Sequence, residues 1–175
     1  DMSNIDFIIP RLVRTCKVLN KRWKIRSIPG VEITHVPIEE IKYLVKFARS
    51  KGAKIVVGHG ETICEPVLKG TNRAFINAGV DILAHPGRIS VEDVKLAKKK
   101  KVCLEITTRK GHSKGNRHVA NLARKYGTSM VLNTDSHAPK DLINSNIRRK
   151  VLSSLGLTPN EVRGVVQNSV KLINA

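Results

Sequence analysis

In the stretch SMVLNTDSHAP, the apolar run Met130 to Leu132 gives way to Asp135 and His137, an acid and an imidazole two positions apart. In an extended chain residues i and i+2 point to the same side, so this pair can face one centre. Four earlier apolar runs end in a similar way. GVEITH carries Glu32 and His35, GHGE carries His59 and Glu61, DILAHPG presents His85, and LEITTRKGH offers Glu105, Arg109 and His112. Carboxylates with several imidazoles form a borderline ligand set that suits Zn²⁺, Mn²⁺ or Fe²⁺ better than Mg²⁺ or Ca²⁺.

Each residue also has a plainer reading. A histidine after a strand is usually a hydrogen-bonded loop residue, Asp135 can cap a helix starting near Pro139, and Glu32 can be a solvated edge residue. The joint pattern resists that reading, because four of the six histidines fall at strand ends in one topological position. His118 lies within a helical pattern and reads as structural or exposed, while the role of His112 stays open. Cys64 and Cys103 lack ligand spacing and read as core. The chain has neither a Gly-rich phosphate loop nor a G-x-S-x-G nucleophile elbow.

The elements that must position these groups alternate along the chain. Segments 25–28 and 31–34 read as parts of one strand region broken at Pro29-Gly30. Pro37 opens a helical pattern with Ile38, Ile41, Leu44 and Ala48, and Gly52 sits where it stops. Strand Ile55 to Val57 follows, then a weaker helix from Thr71 to Ala78, then the strand in VDILAH. Ser90 with Asp93 three residues on marks a helix start. VCLEIT is a strand, Val119 to Tyr126 a helix closed by Gly127, and two helices end the chain, the last starting at Thr158-Pro159 with Glu161 as capping partner. Strands such as KIVVG lack clean alternation, as expected for parallel strands covered by helices. The class is α/β, a barrel or an open sheet, and both gather their sites at the carboxyl ends of the strands.

Composition narrows the partners. One domain is the natural prior for 175 residues. No run approaches the roughly 18 apolar residues of a membrane span, and the N-terminal stretch is acidic before it is apolar, unlike a secretory signal. Three cysteines without close pairing suit a reducing, cytoplasmic compartment. The formal net charge of +18 has two readings, a nucleic-acid or phosphate-ester partner or simply lysine-rich solvated helix faces. The spread of basic residues over KRWKIR, KKKK and IRRK favours the second. At 3%, aromatics are too few for a base-stacking surface.

Taken in order, GVEITH, GHGE, DILAHPG and LNTDSHAP resemble the polymerase and histidinol phosphatase (PHP) superfamily, most closely its histidinol-phosphatase-like members. The resemblance spans residues 1–175 as a single domain. It implies a distorted seven-stranded (β/α)₇ TIM-like barrel, with up to three metal ions at the strand ends and hydrolysis of phosphoesters as the chemistry. Residue by residue it implies that Glu32 is a bridging carboxylate, that His59 and His85 share its metal, and that Asp135 and His137 serve neighbouring ions.

The family's opening His-x-His strand and an Asp-His strand end have no counterpart here. The expectation is therefore an N-terminally truncated, incomplete barrel, with about one well-retained metal site (Zn, Mn or Fe) and exposed strand edges prone to association. Arg109 is a candidate for holding substrate phosphate, since its planar fork matches that anion. The expected substrate is a small phosphate monoester such as histidinol phosphate. The alternatives are a PHP-type nuclease or polymerase-associated module, and a non-catalytic basic scaffold like the ribonuclease P subunits that resemble this superfamily in fold. Amidohydrolases also use strand-end histidines and an Asp, but usually add a bridging lysine, and no strand end here offers one.

Overall fold

The computed structural model describes residues 1–174. Among them are five strands and seven α-helices, which after an N-terminal helix follow the alternation expected from the sequence. In chain order they are α1 (Met2–Arg22), β1 (Gly30–Ile33), α2 (Ile41–Ser50), β2 (Ile55–His59), α3 (Thr71–Ala78), β3 (Ile82–Ala84), α4 (Val91–Lys100), β4 (Cys103–Thr107), α5 (Asn116–Tyr126), β5 (Met130–Asn133), α6 (Ser145–Ser154) and α7 (Pro159–Asn174). The strands form one parallel sheet in sequential order, β1-β2-β3-β4-β5. This is the arrangement of a (β/α) barrel wall. The sheet is open, in line with the expectation of an incomplete barrel: among the described residues β1 pairs only with β2 and β5 only with β4.

The helices follow from local signals. The Ser90 side chain accepts from the Asp93 amide at the start of α4. At the start of α7, Thr158 and Glu161 bond reciprocally, Thr158 N–H to Glu161 Oε2 at 2.7 Å and Glu161 N–H to Thr158 Oγ1 at 3.3 Å. Gly127 closes α5 in the left-handed conformation, at φ +67°. One face of the sheet packs against α2 to α5 through Ile41, Leu44, Phe75, Val94 and Val119. On the other face Ile82, Cys103 and Val131 cluster with Ile55, Val57 and Leu172 of α7. No helix among the described residues is long and apolar enough to cross a membrane.

Two expectations about elements need correction. Segment 25–28 is not strand: Asn20 bonds both the amide and the carbonyl of Ser27, which satisfies that backbone without a ladder. Cys64 is exposed on the β2–α3 loop, whereas Cys103 is buried as expected.

Candidate metal centre

Parallel pairing sets Glu32 beside Val57 and His59 beside Ala84, so the carboxyl ends of β1, β2 and β3 rise together. Glu32 comes from β1, His59 ends β2, and His85 follows β3 directly. The Gly60 amide donates to the Ala84 carbonyl at 3.0 Å, joining the two histidine-bearing ends. A Cβ at position 60 would lie 2.4 Å from that oxygen and 2.7 Å from Pro86 Cα, so the close approach requires glycine.

One ligand atom from each of Glu32, His59 and His85 lies within 4.8 Å of the other two. Glu32 Oε1 is 3.6 Å from His85 Nε2, and the two imidazoles meet edge to face with centroids 4.5 Å apart. Both ring nitrogens of His59 and Nε2 of His85 are buried without a hydrogen-bond partner. A buried polar atom left unpaired costs about 1–3 kcal/mol. One such nitrogen from each imidazole, together with a carboxylate oxygen of Glu32, fits a divalent cation.

Glu105 prepares His85 for that role. Its Oε2 accepts from the His85 amide at 2.9 Å and lies 3.0 Å from His85 Nδ1, while its Oε1 accepts from Asn133 Nδ2 at 2.8 Å. A proton held on Nδ1 leaves the Nε2 lone pair facing Glu32, the arrangement by which proteins commonly present histidine to metals. Glu105 is thus a holder of His85 rather than a ligand.

Burial pushes the Glu32 carboxyl up to about 7; His85 opposes the rise, and Glu105, Asp135 and Glu65 add to it. A third of the Glu32 side chain, 34%, remains open to solvent. Burial also acts on His85, downward, but the hydrogen bond and charge of Glu105, then Glu32 and Asp135, outweigh it and the imidazole's pKa is raised. His59 moves down, chiefly through burial and then the neighbouring His85. The backbone is strained at the same edge. His35, His85 and Asp135 adopt φ of +51°, +29° and +47°, and Lys101 at the end of α4 is the one other non-glycine residue with positive φ among the described residues. Such conformations cluster where a site dictates the backbone.

Asp135, His137 and Arg109 line the same cavity of about 320 Å³, but the structure does not bring Asp135 and His137 into the ligand trio. The positive φ of Asp135 breaks the extended geometry that would have aimed both side chains at one point. Asp135 Oδ2 instead lies 3.6 Å from Arg109 Nε. His137 is exposed at the rim, its Nδ1 2.9 Å from the Asp135 carbonyl. The turn near Pro139 is capped by Asp141, not Asp135: Asp141 Oδ2 accepts from the His137 and Ala138 amides, both at 2.9 Å. Those bonds, His137's foremost, hold the Asp141 carboxyl below its usual range despite some desolvation, with Arg109 adding to the effect.

Two further residues line the cavity: Glu65, which the sequence reading did not single out, and His112, whose role it left open. Glu65 on the β2–α3 loop lies 3.7 Å from His59 Nε2 and 3.6 Å from His112 Nε2. His112 is buried, its Nδ1 2.8 Å from Thr62 Oγ1 and its ring 4.3 Å from that of His85. Glu65 carries no sequence signal, because it sits six residues beyond the strand end. His112 had one, its place after β4. His118 is structural, with Nε2 2.8 Å from the Ile89 carbonyl. Glu61 accepts from the Gly70 and Asn72 amides and organises the start of α3.

No protein-family model matches the sequence. The chain is 44% identical over 168 residues to the uncharacterized protein MJ1295 of Methanocaldococcus jannaschii, a match covering 95% of this chain and 77% of that protein. This chain belongs to that protein's family. Among solved structures, it resembles a chain in the cryo-EM structure of archaeal ribonuclease P with mature tRNA, with a TM-score of 0.76 and 22% identity over 93% of this chain and 74% of that one. It also resembles a prolidase solved with N-methylphosphonate-L-proline, with a TM-score of 0.57 and 16% identity over 81% of this chain and 38% of the prolidase. At these identities the likenesses establish the α/β fold alone.

Proposed function

We propose that this chain is a metal-dependent phosphoester hydrolase of the PHP type. The observation that carries the reading is the gathering of one ligand atom from each of His59, His85 and Glu32 within 4.8 Å of one another, with the histidine nitrogens buried and unpartnered. These three residues would hold one Zn, Mn or Fe ion. Such an ion would supply Lewis acidity toward a phosphoryl oxygen. Arg109, on the wall of the same cavity, offers its fork to a phosphate oxygen, and Asp135 orients that fork through the 3.6 Å contact. In hydrolysis, water adds to phosphorus as the P–O bond to the alcohol breaks, and His137, exposed at the rim, is the group to pass a proton to the leaving alkoxide.

The test is metal content per chain by plasma mass spectrometry on tag-free protein, together with phosphate release from a small monoester such as histidinol phosphate. About one equivalent of Zn, Mn or Fe, lost in Glu32→Ala/His85→Ala along with phosphate release, is the expected result. Folded wild-type protein without metal and without phosphate release rejects the reading.

A second reading is a basic scaffold within a ribonucleoprotein. It draws on the likeness to a chain of archaeal ribonuclease P solved with tRNA and on the formal charge of +18. It predicts RNA binding that weakens steeply with salt and is indifferent to chelators. It leaves the orphaned histidine nitrogens without an explanation.

A further inference from the structure

Arg109 separates two cavities. On one side lies the metal-centre cavity, and on the other a cleft of about 560 Å³ lined by Thr108, Lys110, Thr134 and Lys140, with Ile143, Ile147 and Val151 of the α6 region as its apolar wall. The one acid lining this cleft is Asp141. Its carboxylate already accepts two backbone amides and lies 3.9 Å from Arg109 Nη1. Arg109 is shared between Asp135 and Asp141, which leaves Lys110 and Lys140, with the two hydroxyls, facing the space.

The cationic surface continues along α6. Residues 142–160 contain no Asp or Glu but include Arg148, Arg149 and Lys150, and Arg148 and Arg149 line a further groove with Arg163 of α7.

We propose that the cleft is a second phosphate subsite, and that the substrate is a nucleic-acid strand whose backbone runs from the metal centre past Arg109, over Lys110 and Lys140, and onto α6. The apolar wall, with Ile147 43% exposed, accommodates the sugar and base between successive phosphates. No aromatic side chain lines the cleft, so binding there is backbone-directed and independent of sequence. This inference deepens the hydrolase reading by replacing the small monoester with a polymer, and it rests on that reading for the chemistry at the strand ends.

The experiment measures fluorescence anisotropy of a fluorescein-labelled dodecauridylate against wild-type protein, Lys110→Glu/Lys140→Glu and Lys99→Glu/Lys100→Glu, each over a salt series. The last variant makes the same charge change at the C-terminal end of α4, where both lysines are exposed and which lies at the opposite end of the sheet from the cleft. Each neutralised phosphate of a single strand contributes about −0.7 to the slope of log affinity against log salt. The cleft variant is expected to lose at least about tenfold in affinity at low salt and to have a slope shallower by about 1.4, while the α4 variant stays within about twofold of wild type.

Equal effects of the two variants, or none from either, overturn the proposal, because attraction would then come from the general field. Metal content of every variant is read alongside. A chain that binds no metal yet shows the cleft-specific loss retracts the hydrolase reading and leaves the strand-binding cleft in place. A chain that releases phosphate from a monoester but shows no cleft-specific loss retracts only the inference.

Discussion

Glu105→Gln isolates the claim that a buried carboxylate prepares His85 for a metal. The Glu105 side chain is 4% exposed, and one of its oxygens serves both the amide and Nδ1 of His85. A glutamine keeps the shape. Its carbonyl can still accept from both His85 donors, and its amide can face Asn133 once that side chain turns its own oxygen inward. What disappears is the charge. Hydrogen bonds to charged groups contribute roughly 1 kcal/mol more than neutral ones, so two of them put the folding cost at about 2 kcal/mol. Loss of such a partner behind a ligand histidine typically weakens metal affinity by about 10–100-fold, which is about 1.4–2.7 kcal/mol.

The assay is competition for Zn²⁺ or Mn²⁺ against a chromophoric chelator, paired with thermal unfolding of the metal-free protein and NMR titration of His85. Removing the Glu105 charge leaves burial as the main influence on His85, so its pKa should fall below the ordinary histidine value instead of rising above it. A variant that binds metal within about twofold of wild type, with His85 titrating as before, refutes the reasoning. Abolition of binding in His85→Ala beside that result would show that His85 needs no help from Glu105.

The raised Glu32 carboxyl makes metal affinity pH-dependent. Its folded value of about 7 lies above its ordinary 4.5, so the metal-free fold holds an extra proton between those values. The resulting stability is fully present below about pH 4.5 and is lost as pH rises through 7. Metal-free wild type should therefore lose more Tm than Glu32→Gln between pH 5.5 and 8, while wild-type metal affinity rises over that range. Gly60→Ala forces backbone apart between the two histidine-bearing strand ends and should destabilise by about 1–3 kcal/mol in denaturant melts, with weakened metal binding. Gly164→Ala, in α7 with nothing within 4 Å of a new Cβ, should be neutral or stabilising by up to about 1 kcal/mol. With a thiol reagent on native protein, Cys64 should react while Cys103 does not, because Cys103 is buried and burial pushes its thiol up to about 11. Rapid native labelling of Cys103 would contradict the placement of β4.

The order of elements was legible because it rests on local chemistry. Ser90 with Asp93, Thr158 with Glu161, and the bounds of α3 each depend on residues within a few positions. Strand-end position alone offered a wider set, His35, Glu61, Glu105 and His112 among them, and it was the resemblance to the PHP superfamily that singled out the trio; the sequential parallel sheet explains why the three meet at one edge. What escaped depends on tertiary detail. Helix α1 was not read: Pro10 interrupts its pattern, and Phe7, Ile8 and Val18 remain exposed while only Ile5 and Ile9 are buried. The departure of Asp135 and His137 from extended geometry, and the arrival of Glu65 from a loop, follow from backbone conformation after the strands end, which periodicity does not encode.

The sequential sheet also bears on how the chain folds as it is made. Each strand pairs with the one synthesised just before it, so every ladder can form without waiting for a distant segment, and the closure entropy of each step is modest. Glu32, His59 and His85 lie at the ends of β1, β2 and β3, whereas Glu105, Arg109 and Asp135 follow with β4 and β5. A cation captured once β3 has formed would tie three βα units together before β4 and β5 are made, adding its binding free energy to an otherwise open-edged intermediate. The centre would then serve as a folding nucleus before it serves any substrate, and metal starvation would first be felt as poor yield of folded chain rather than as lost turnover.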